Sequence, residues 1–190
     1  MQRSLVYAGI ALLFWLGAGS VAAQTLPPHI QAELPYATLR GSGSFRWFGL
    51  LIYEATLYDK ADKRDTNASN ENGLALDLHY ARALDGKKIA AASIEQIERL
   101  GRGSATQRQR WLEQMRALFP DVESGTHLTG IFVPGTAARF YRDGTWLGEI
   151  RDAAFADAFF AIWLAPNTSA PALRTQLLTS KPTVTTSQRP

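Results

Sequence analysis

The stretch Phe140-Tyr-Arg-Asp-Gly-Thr-Trp-Leu-Gly-Glu-Ile150 predicts a β-hairpin. Its Asp143-Gly144 pair stands between two segments rich in aromatic and aliphatic residues. These two residue types accept the positive φ angles that a tight two-residue turn requires. The last third of the chain is therefore expected to contain two adjacent antiparallel strands.

Three earlier segments also have the composition of strands. Residues 45–58 are rich in aromatic residues and form one or two strands, with Gly49 as a bend or bulge. In residues 74–80, leucines alternate with smaller or polar residues, which predicts a half-buried antiparallel strand. Residues 128–133 form a further strand. With the hairpin, these segments provide enough strands for a large sheet.

Helical periodicity marks four other segments, namely residues 86–100, residues 105–119, residues 152–164 with Asp152 as the N-cap, and a last helix with Thr168 or Ser169 as the cap and Pro171 in its first turn. Strands and helices follow each other in blocks and do not alternate as βαβ units would. The order predicts an α+β fold, in which a large antiparallel sheet carries its helices on one face.

The two ends of the chain have the composition of non-core segments. Residues 1–23 resemble a secretory signal peptide, with Arg3, an apolar run from Leu5 to Leu16 and small residues up to Ala23. Cleavage near Ala23 implies a periplasmic or secreted protein without a stable membrane span; the alternative is an uncleaved anchor. Residues 179–190 are expected to be a disordered tail.

Between these ends, residues 24–178 are expected to form one domain. Within it, residues 24–35 contain prolines and are expected to be a loose lead-in, and residues 59–72 are polar and are expected to be a solvent-exposed loop.

Composition excludes several classes of protein. The chain has no cysteine, so disulfides, thiolate metal sites and lipid attachment through a cysteine are excluded. Removal of the leader takes away Arg3 and leaves 19 basic and 17 acidic residues, without a basic cluster. This charge balance argues against a nucleic-acid partner.

No catalytic or metal-binding motif is present. His29, His79 and His127 lie in unrelated contexts without metal-ligand spacing, although His79 and His127 fall in predicted strands that can approach each other. Phosphate-loop, dinucleotide-binding and nucleophile-elbow patterns are also missing from the sequence. We therefore predict no cofactor, no metal and no catalytic nucleophile.

Arg46 is a candidate binding residue, because it stands inside an apolar strand between Phe45 and Trp47. A guanidinium in such a place needs an anion nearby, since burying it unpaired is costly. That anion is either a ligand or a carboxylate of the fold. A third possibility is that Arg46 lies on an exposed face of the sheet.

Three segments together resemble the chalcone isomerase-like family: Gly41-Ser-Gly-Ser-Phe-Arg-Trp-Phe-Gly49, Tyr53-Glu-Ala-Thr-Leu-Tyr58, and the region from Gly148 to Arg174. The resemblance runs from about residue 39 to residue 178. It implies the open-faced β-sandwich of that family, a large antiparallel sheet covered by helices with an apolar cleft between them. The family contains both enzymes and non-catalytic fatty-acid binders.

The resemblance gives Arg46 one of two roles. In the enzymes, the matching arginine stabilises negative charge on the substrate, and in the fatty-acid binders it holds a carboxylate together with a tyrosine, here Tyr53. The remaining enzyme residues do not match, because Ile89, Gln96 and Ile162 stand near the positions of the enzymes' tyrosine, asparagine and threonine. No catalytic residue is therefore assigned.

We expect a non-catalytic periplasmic protein that binds a fatty acid or a similar lipid-like anion, with Arg46 and Tyr53 as ligand-binding residues. One alternative is an isomerase or intramolecular lyase in which Arg46 stabilises an oxyanion on a phenolic or enone substrate. Another is a cell-envelope protein-interaction module. Arg46 and Tyr53 are seven residues apart, so they share a cleft only if Gly49 bends the strand, and Tyr53 as plain sheet packing stays open.

Overall fold

A computed structural model describes residues 26–59 and 73–179 of the chain. The predicted signal peptide lies outside the described residues. So do the predicted polar loop, apart from Asp59, and the predicted tail, apart from Thr179.

Six antiparallel strands form a meander in which each strand pairs with its neighbours along the chain. The strands are β1 (Thr38–Trp47), β2 (Leu50–Asp59), β3 (Leu74–Tyr80), β4 (His127–Val133), β5 (Ala137–Arg142) and β6 (Thr145–Ile150). The predicted antiparallel sheet and the α+β class are confirmed. β3 and β4 are the central strands, so side chains on them have neighbours on both sides.

A tight hairpin turn joins the last two strands at each edge of the sheet. Asp143 and Gly144 join β5 to β6 with φ angles of 49° and 78°, which confirms the predicted hairpin. Phe48 and Gly49 join β1 to β2 with φ angles of 46° and 78°. Gly49 therefore lies in a turn between two strands. Positive φ at both central residues is what a type I′ turn requires.

Five helices complete the fold: α1 (Pro28–Glu33), α2 (Gly86–Arg99), α3 (Ala105–Leu118), α4 (Ala153–Leu164) and α5 (Pro171–Leu178). Asp152 caps α4 as predicted, because its side chain accepts a hydrogen bond from the N–H of Phe155. The predicted cap of α5 was wrong. That helix begins at Pro171 without a side-chain cap, and Thr168 Oγ1 accepts from the N–H of Ala170 just before it. Among the described helices, none has both the length and the apolar character needed to span a bilayer.

One face of the sheet packs against α3, α4 and α5, with α2 packed on α3 and α4, and this side contains the main core. On β3, Leu74, Leu76 and Leu78 point to this face and are buried. On the helices, Trp111 and Phe155 are fully buried in the same cluster. Apolar burial of this extent is the main stabilising contribution to a fold that lacks disulfides.

The opposite face of the sheet is crossed by α1. The prediction of a loose lead-in at this point was wrong: Pro28 occupies the first turn of a short helix, and Ile30 is buried against Ala75 and Ile131. Ala75 alternates along β3 with the leucines of the main core, so it points to the other face. β3 is consequently covered on both faces, whereas the sequence predicted a half-buried strand.

A substitution at Gly41 tests the contact between β1 and α5. A Cβ atom at this position would lie 2.3 Å from the backbone oxygen of Gln176 and 2.5 Å from that of Leu177, so α5 would have to move. We expect Gly41→Ala to lower the free energy of unfolding by about 1–3 kcal/mol, the usual cost of overpacking.

Ser42→Ala is the matched control, because Ser42 is the exposed neighbour of Gly41 on β1. Urea unfolding of both variants measures the difference. Equal stability of Gly41→Ala and Ser42→Ala would contradict a tight contact between β1 and α5.

Candidate functional site

The hairpin of β1 and β2 carries both residues that the sequence analysis selected. Phe45 pairs with Tyr53 and Arg46 pairs with Leu51, so Ile52 is an extra residue that forms a bulge in β2. A bulge changes the direction of a strand locally and re-aims its side chains. Tyr53 and Leu51, the partner of Arg46, therefore lie on either side of the bulge.

Tyr53 lies on the helix-covered face. Its ring stacks on Phe45 with 5.1 Å between the ring centroids and makes an edge contact with Tyr80. Its hydroxyl accepts a hydrogen bond of 3.0 Å from Nε1 of Trp163 on α4. Burial raises the pKa of Tyr53 to about 12, although the bond from Trp163 acts against it. The hydroxyl is therefore protonated at neutral pH, and its own proton has no acceptor among the described residues.

Arg46 lies at the tip of the hairpin and is exposed. Its Nη1 donates a hydrogen bond of 3.2 Å to the carbonyl oxygen of Gly49. Successive side chains of a strand point to opposite faces, so Arg46 points away from the face of Phe45 and Tyr53. The structure therefore does not bring Arg46 and Tyr53 together, and their predicted roles in ligand binding stay predictions.

A second guanidinium lies at the same end of the sheet. Nε of Arg82 donates a hydrogen bond of 3.0 Å to the carbonyl oxygen of Leu51. The sequence analysis did not select Arg82, because a single arginine after a strand carries no recognisable pattern. Its position depends on the pairing of β2 with β3.

All three histidines of the chain converge on the opposite face of the sheet. His79 on β3 and His127 on β4 are direct partners, and their rings stack with 4.4 Å between the centroids. With His29 of α1 they line a pocket of about 690 Å³. The other lining residues are Pro27, Pro28, Glu54, Thr56, Tyr58, Asp77, Asp143, Gly144 and Thr145.

A chain of hydrogen bonds runs beneath this pocket. Thr129 Oγ1 donates to Asp77 Oδ1 at 2.7 Å, and Asp77 Oδ2 lies 2.7 Å from Nδ1 of His127. Nε2 of His29 lies 2.9 Å from Thr129 Oγ1. Because the single hydroxyl proton of Thr129 goes to Asp77, Nε2 of His29 must be the donor in its contact. A proton on Nδ1 of His127 likewise leaves Nε2 of the neutral ring as an acceptor.

These bonds attach α1 to the sheet. At the other end of the helix, Glu33 accepts hydrogen bonds from Arg139 and from the hydroxyl of Tyr141 on β5. The polar groups beneath α1 thus satisfy one another, as buried polar groups must. No group of three or more His, Asp or Glu side chains in the described part of the chain is arranged to hold a metal ion.

The sequence analysis considered the approach of His79 and His127 but missed Asp77 and Thr129. Both are buried polar residues on central strands. The available signal was the presence of Asp77 between Leu76 and Leu78, where a charge needs a partner. Its partners could not be identified without the strand register.

Comparison with known proteins gives concordant results. The sequence model of the chalcone isomerase-like family matches residues 18–179. An uncharacterized protein of Haemophilus influenzae is 33% identical over 138 residues, which cover 73% of this chain and 66% of that protein.

Among solved structures, the crystal structure of an Arabidopsis thaliana fatty-acid binding protein is similar, with a TM-score of 0.61. The match covers 75% of this chain and 87% of that chain, at 13% sequence identity. At this identity the likeness shows a shared fold.

His29 makes the stability of the protein dependent on pH. Burial lowers its pKa, with Asp77 raising it and His127 lowering it further. The folded pKa thus lies below the unfolded value of about 6.5. The unfolded chain binds more protons in acid, so the stabilising contribution of neutral His29 is complete above about pH 6.5 and is lost as the pH falls.

We expect the free energy of unfolding to drop between about pH 7.5 and about pH 5.5 more steeply in the wild type than in His29→Gln. Glutamine keeps an N–H donor near Thr129 but does not titrate. Urea unfolding at the two pH values, followed by tryptophan fluorescence, measures both slopes. His79 and His127 are present in both proteins, so equal slopes would contradict a burial effect at His29.

Proposed function

The chain belongs to the chalcone isomerase-like family, and on that basis we propose that it binds a fatty acid or a similar amphipathic carboxylate on the helix-covered side of its sheet. The fold likeness to a fatty-acid binding protein supports this proposal. The predicted leader supports a periplasmic or secreted location for the mature protein.

The observation that carries the proposal is the hydroxyl of Tyr53. This hydroxyl is neutral, accepts one hydrogen bond from Trp163 and has its own proton available. The rings of Phe45 and Tyr80 contact the Tyr53 ring, and the indole of Trp163 lies at the hydroxyl. A protonated phenol in apolar surroundings is a suitable donor to a carboxylate, because a hydrogen bond to a charged acceptor is stronger than one between neutral groups.

Arg46 supplies positive charge at the same end of the sheet. Its guanidinium is bound to a carbonyl oxygen and not to a carboxylate, so its charge is not neutralised by that contact. Direct contact with a carboxylate beside Tyr53 requires the hairpin tip to rearrange. Arg82, which binds the carbonyl of Leu51, is the second cation available there.

The acyl chain provides most of the affinity. Each buried methylene contributes about 0.8 kcal/mol, whereas one hydrogen bond to a charged group contributes about 1.5–3 kcal/mol. Between the sheet and α4, the ring of Trp163 contacts that of Phe159, and its Nε1 donates to the hydroxyl of Tyr53. An acyl chain bound beside Tyr53 would lie against Trp163, so binding should change the fluorescence of Trp163.

Two other functions fit particular observations. The contact between the Phe159 and Trp163 rings on α4 also fits a cell-envelope interaction module whose cleft is occupied by its own side chains. An isomerase or intramolecular lyase with Arg46 as the oxyanion-stabilising group is the enzymatic alternative, and turnover of an enone substrate would distinguish it.

Titration of the delipidated mature chain with saturated fatty acids tests the proposal. We expect binding that weakens by about tenfold when the chain is shortened by two carbons. We expect Tyr53→Phe to weaken binding by about tenfold, since only the hydroxyl is removed. Calorimetry and tryptophan fluorescence give both dissociation constants.

Tyr36→Phe is the matched control, because Tyr36 is exposed and makes no ring contact with Tyr53. Arg46→Ala and Arg82→Ala, measured in parallel, show which guanidinium acts as the counter-charge. Wild-type affinity in Tyr53→Phe would place the carboxylate elsewhere. A wild-type protein that binds no fatty acid of any length would refute the carrier function and favour the interaction module.

A further inference from the structure

The tip of the β1–β2 hairpin exposes three large apolar side chains within four residues. The exposed fractions are 62% for Trp47, 86% for Phe48 and 51% for Leu50. Tyr36, Leu39 and Trp146 are the other large exposed apolar or aromatic residues in the described part of the chain. The apolar tip, defined here as residues 47–50, is thus a concentrated patch on a projecting turn.

Phe48 adopts a backbone conformation that its side chain disfavours. Its φ angle is 46°, in the left-handed region that glycine, asparagine and aspartate occupy most easily. The equivalent turn between β5 and β6 uses Asp143 and Gly144. Phe48 gains little packing in return, because its ring meets only that of Trp47 among the described aromatic residues. The strained backbone at Phe48 is therefore not offset by packing of its side chain within the described chain. Such strain points to a partner outside the chain that the side chain contacts.

Two cations flank the apolar tip. The side chains of Arg46 and Arg82 donate to the carbonyl oxygens of Gly49 and Leu51. No carboxylate of the described residues forms an ion pair with either arginine, whereas several other arginines have such partners. Aromatic side chains beside unneutralised arginines match the headgroup layer of an anionic membrane, where rings sit among the headgroups and guanidinium groups meet phosphates.

A second copy of the chain is a less suitable occupant of this tip. A stable protein interface buries about 800 Å² on each partner. Three side chains on one turn provide only a small part of that area. The two uncompensated arginines would also repel each other across a symmetric contact.

We propose that the apolar tip docks this protein on the surface of anionic membranes. Trp47, Phe48 and Leu50 enter the headgroup layer, and Arg46 and Arg82 contact lipid phosphates. The stacked Phe45 and Tyr53 rings lie directly behind the tip, so docking places the membrane next to the proposed acyl site. This last step rests on the proposed fatty-acid binding, whereas the docking itself does not.

Sedimentation with vesicles tests the docking. We expect the full mature chain to bind vesicles that contain phosphatidylglycerol about tenfold more tightly than Phe48→Gly does. Glycine relieves the positive φ angle at this position, so the variant is expected to fold at least as well as the wild type. Trp146→Ala is the matched control, because it removes an exposed tryptophan on β6. Arg46→Gln should reduce the preference for phosphatidylglycerol over phosphatidylcholine.

Equal binding by the wild type and Phe48→Gly would overturn the proposal, as would loss of binding in Trp146→Ala alone. A wild-type dimer in solution that becomes monomeric in Phe48→Gly, without any vesicle binding, would assign the tip to a second copy instead. Fatty-acid affinity is measured separately without vesicles, and Phe48→Gly should retain it. Vesicle binding without fatty-acid binding would refute the proposed function and leave the docking intact.

Discussion

The packing of α4 against the sheet is the contact on which the rest of the structure depends. Phe159 is at its centre, because its ring contacts those of Phe119 at the end of α3, Phe140 on β5 and Trp163 one turn further along α4. Trp163 in turn fixes the hydroxyl of Tyr53 on β2. The helix layer, the sheet and the candidate ligand contact are thus joined through one aromatic face.

The two faces of the sheet carry different chemistry. The helix-covered face is aromatic and aliphatic, and the neutral hydroxyl of Tyr53 is the polar group beside Phe45 and Trp163. The face under α1 carries Asp77, Thr129 and the three histidines, and the described residues that line its pocket include no lysine or arginine. An anionic amphipathic ligand therefore suits the first face. The polar groups of the second face bond to one another and hold α1 in place.

The sequence predicted those features that depend on local patterns. Asp143-Gly144 identified a hairpin because both residues tolerate positive φ. At Phe48-Gly49 the sequence predicted only a bend or bulge at Gly49, because phenylalanine rarely occupies a turn position with positive φ. Helix α1 was missed because six residues containing a proline give too short a periodic pattern. The convergence of His29 with His79 and His127 depends on strand register and on the docking of α1. Neither can be deduced from spacing along the chain.

The meander topology and the position of α5 have a consequence for the order of assembly. The pairings of β1 with β2, β4 with β5 and β5 with β6 join strands separated by tight turns, and such local contacts favour rapid folding. β3 pairs with β4 across the two helices α2 and α3. The contact of α5 with β1 is different, because Gly41 near one end of the domain lies against Gln176 and Leu177 near the other. The first strand therefore acquires its cover only when the chain has been made as far as α5, so the earliest strand of the sheet is completed by the last helix of the domain.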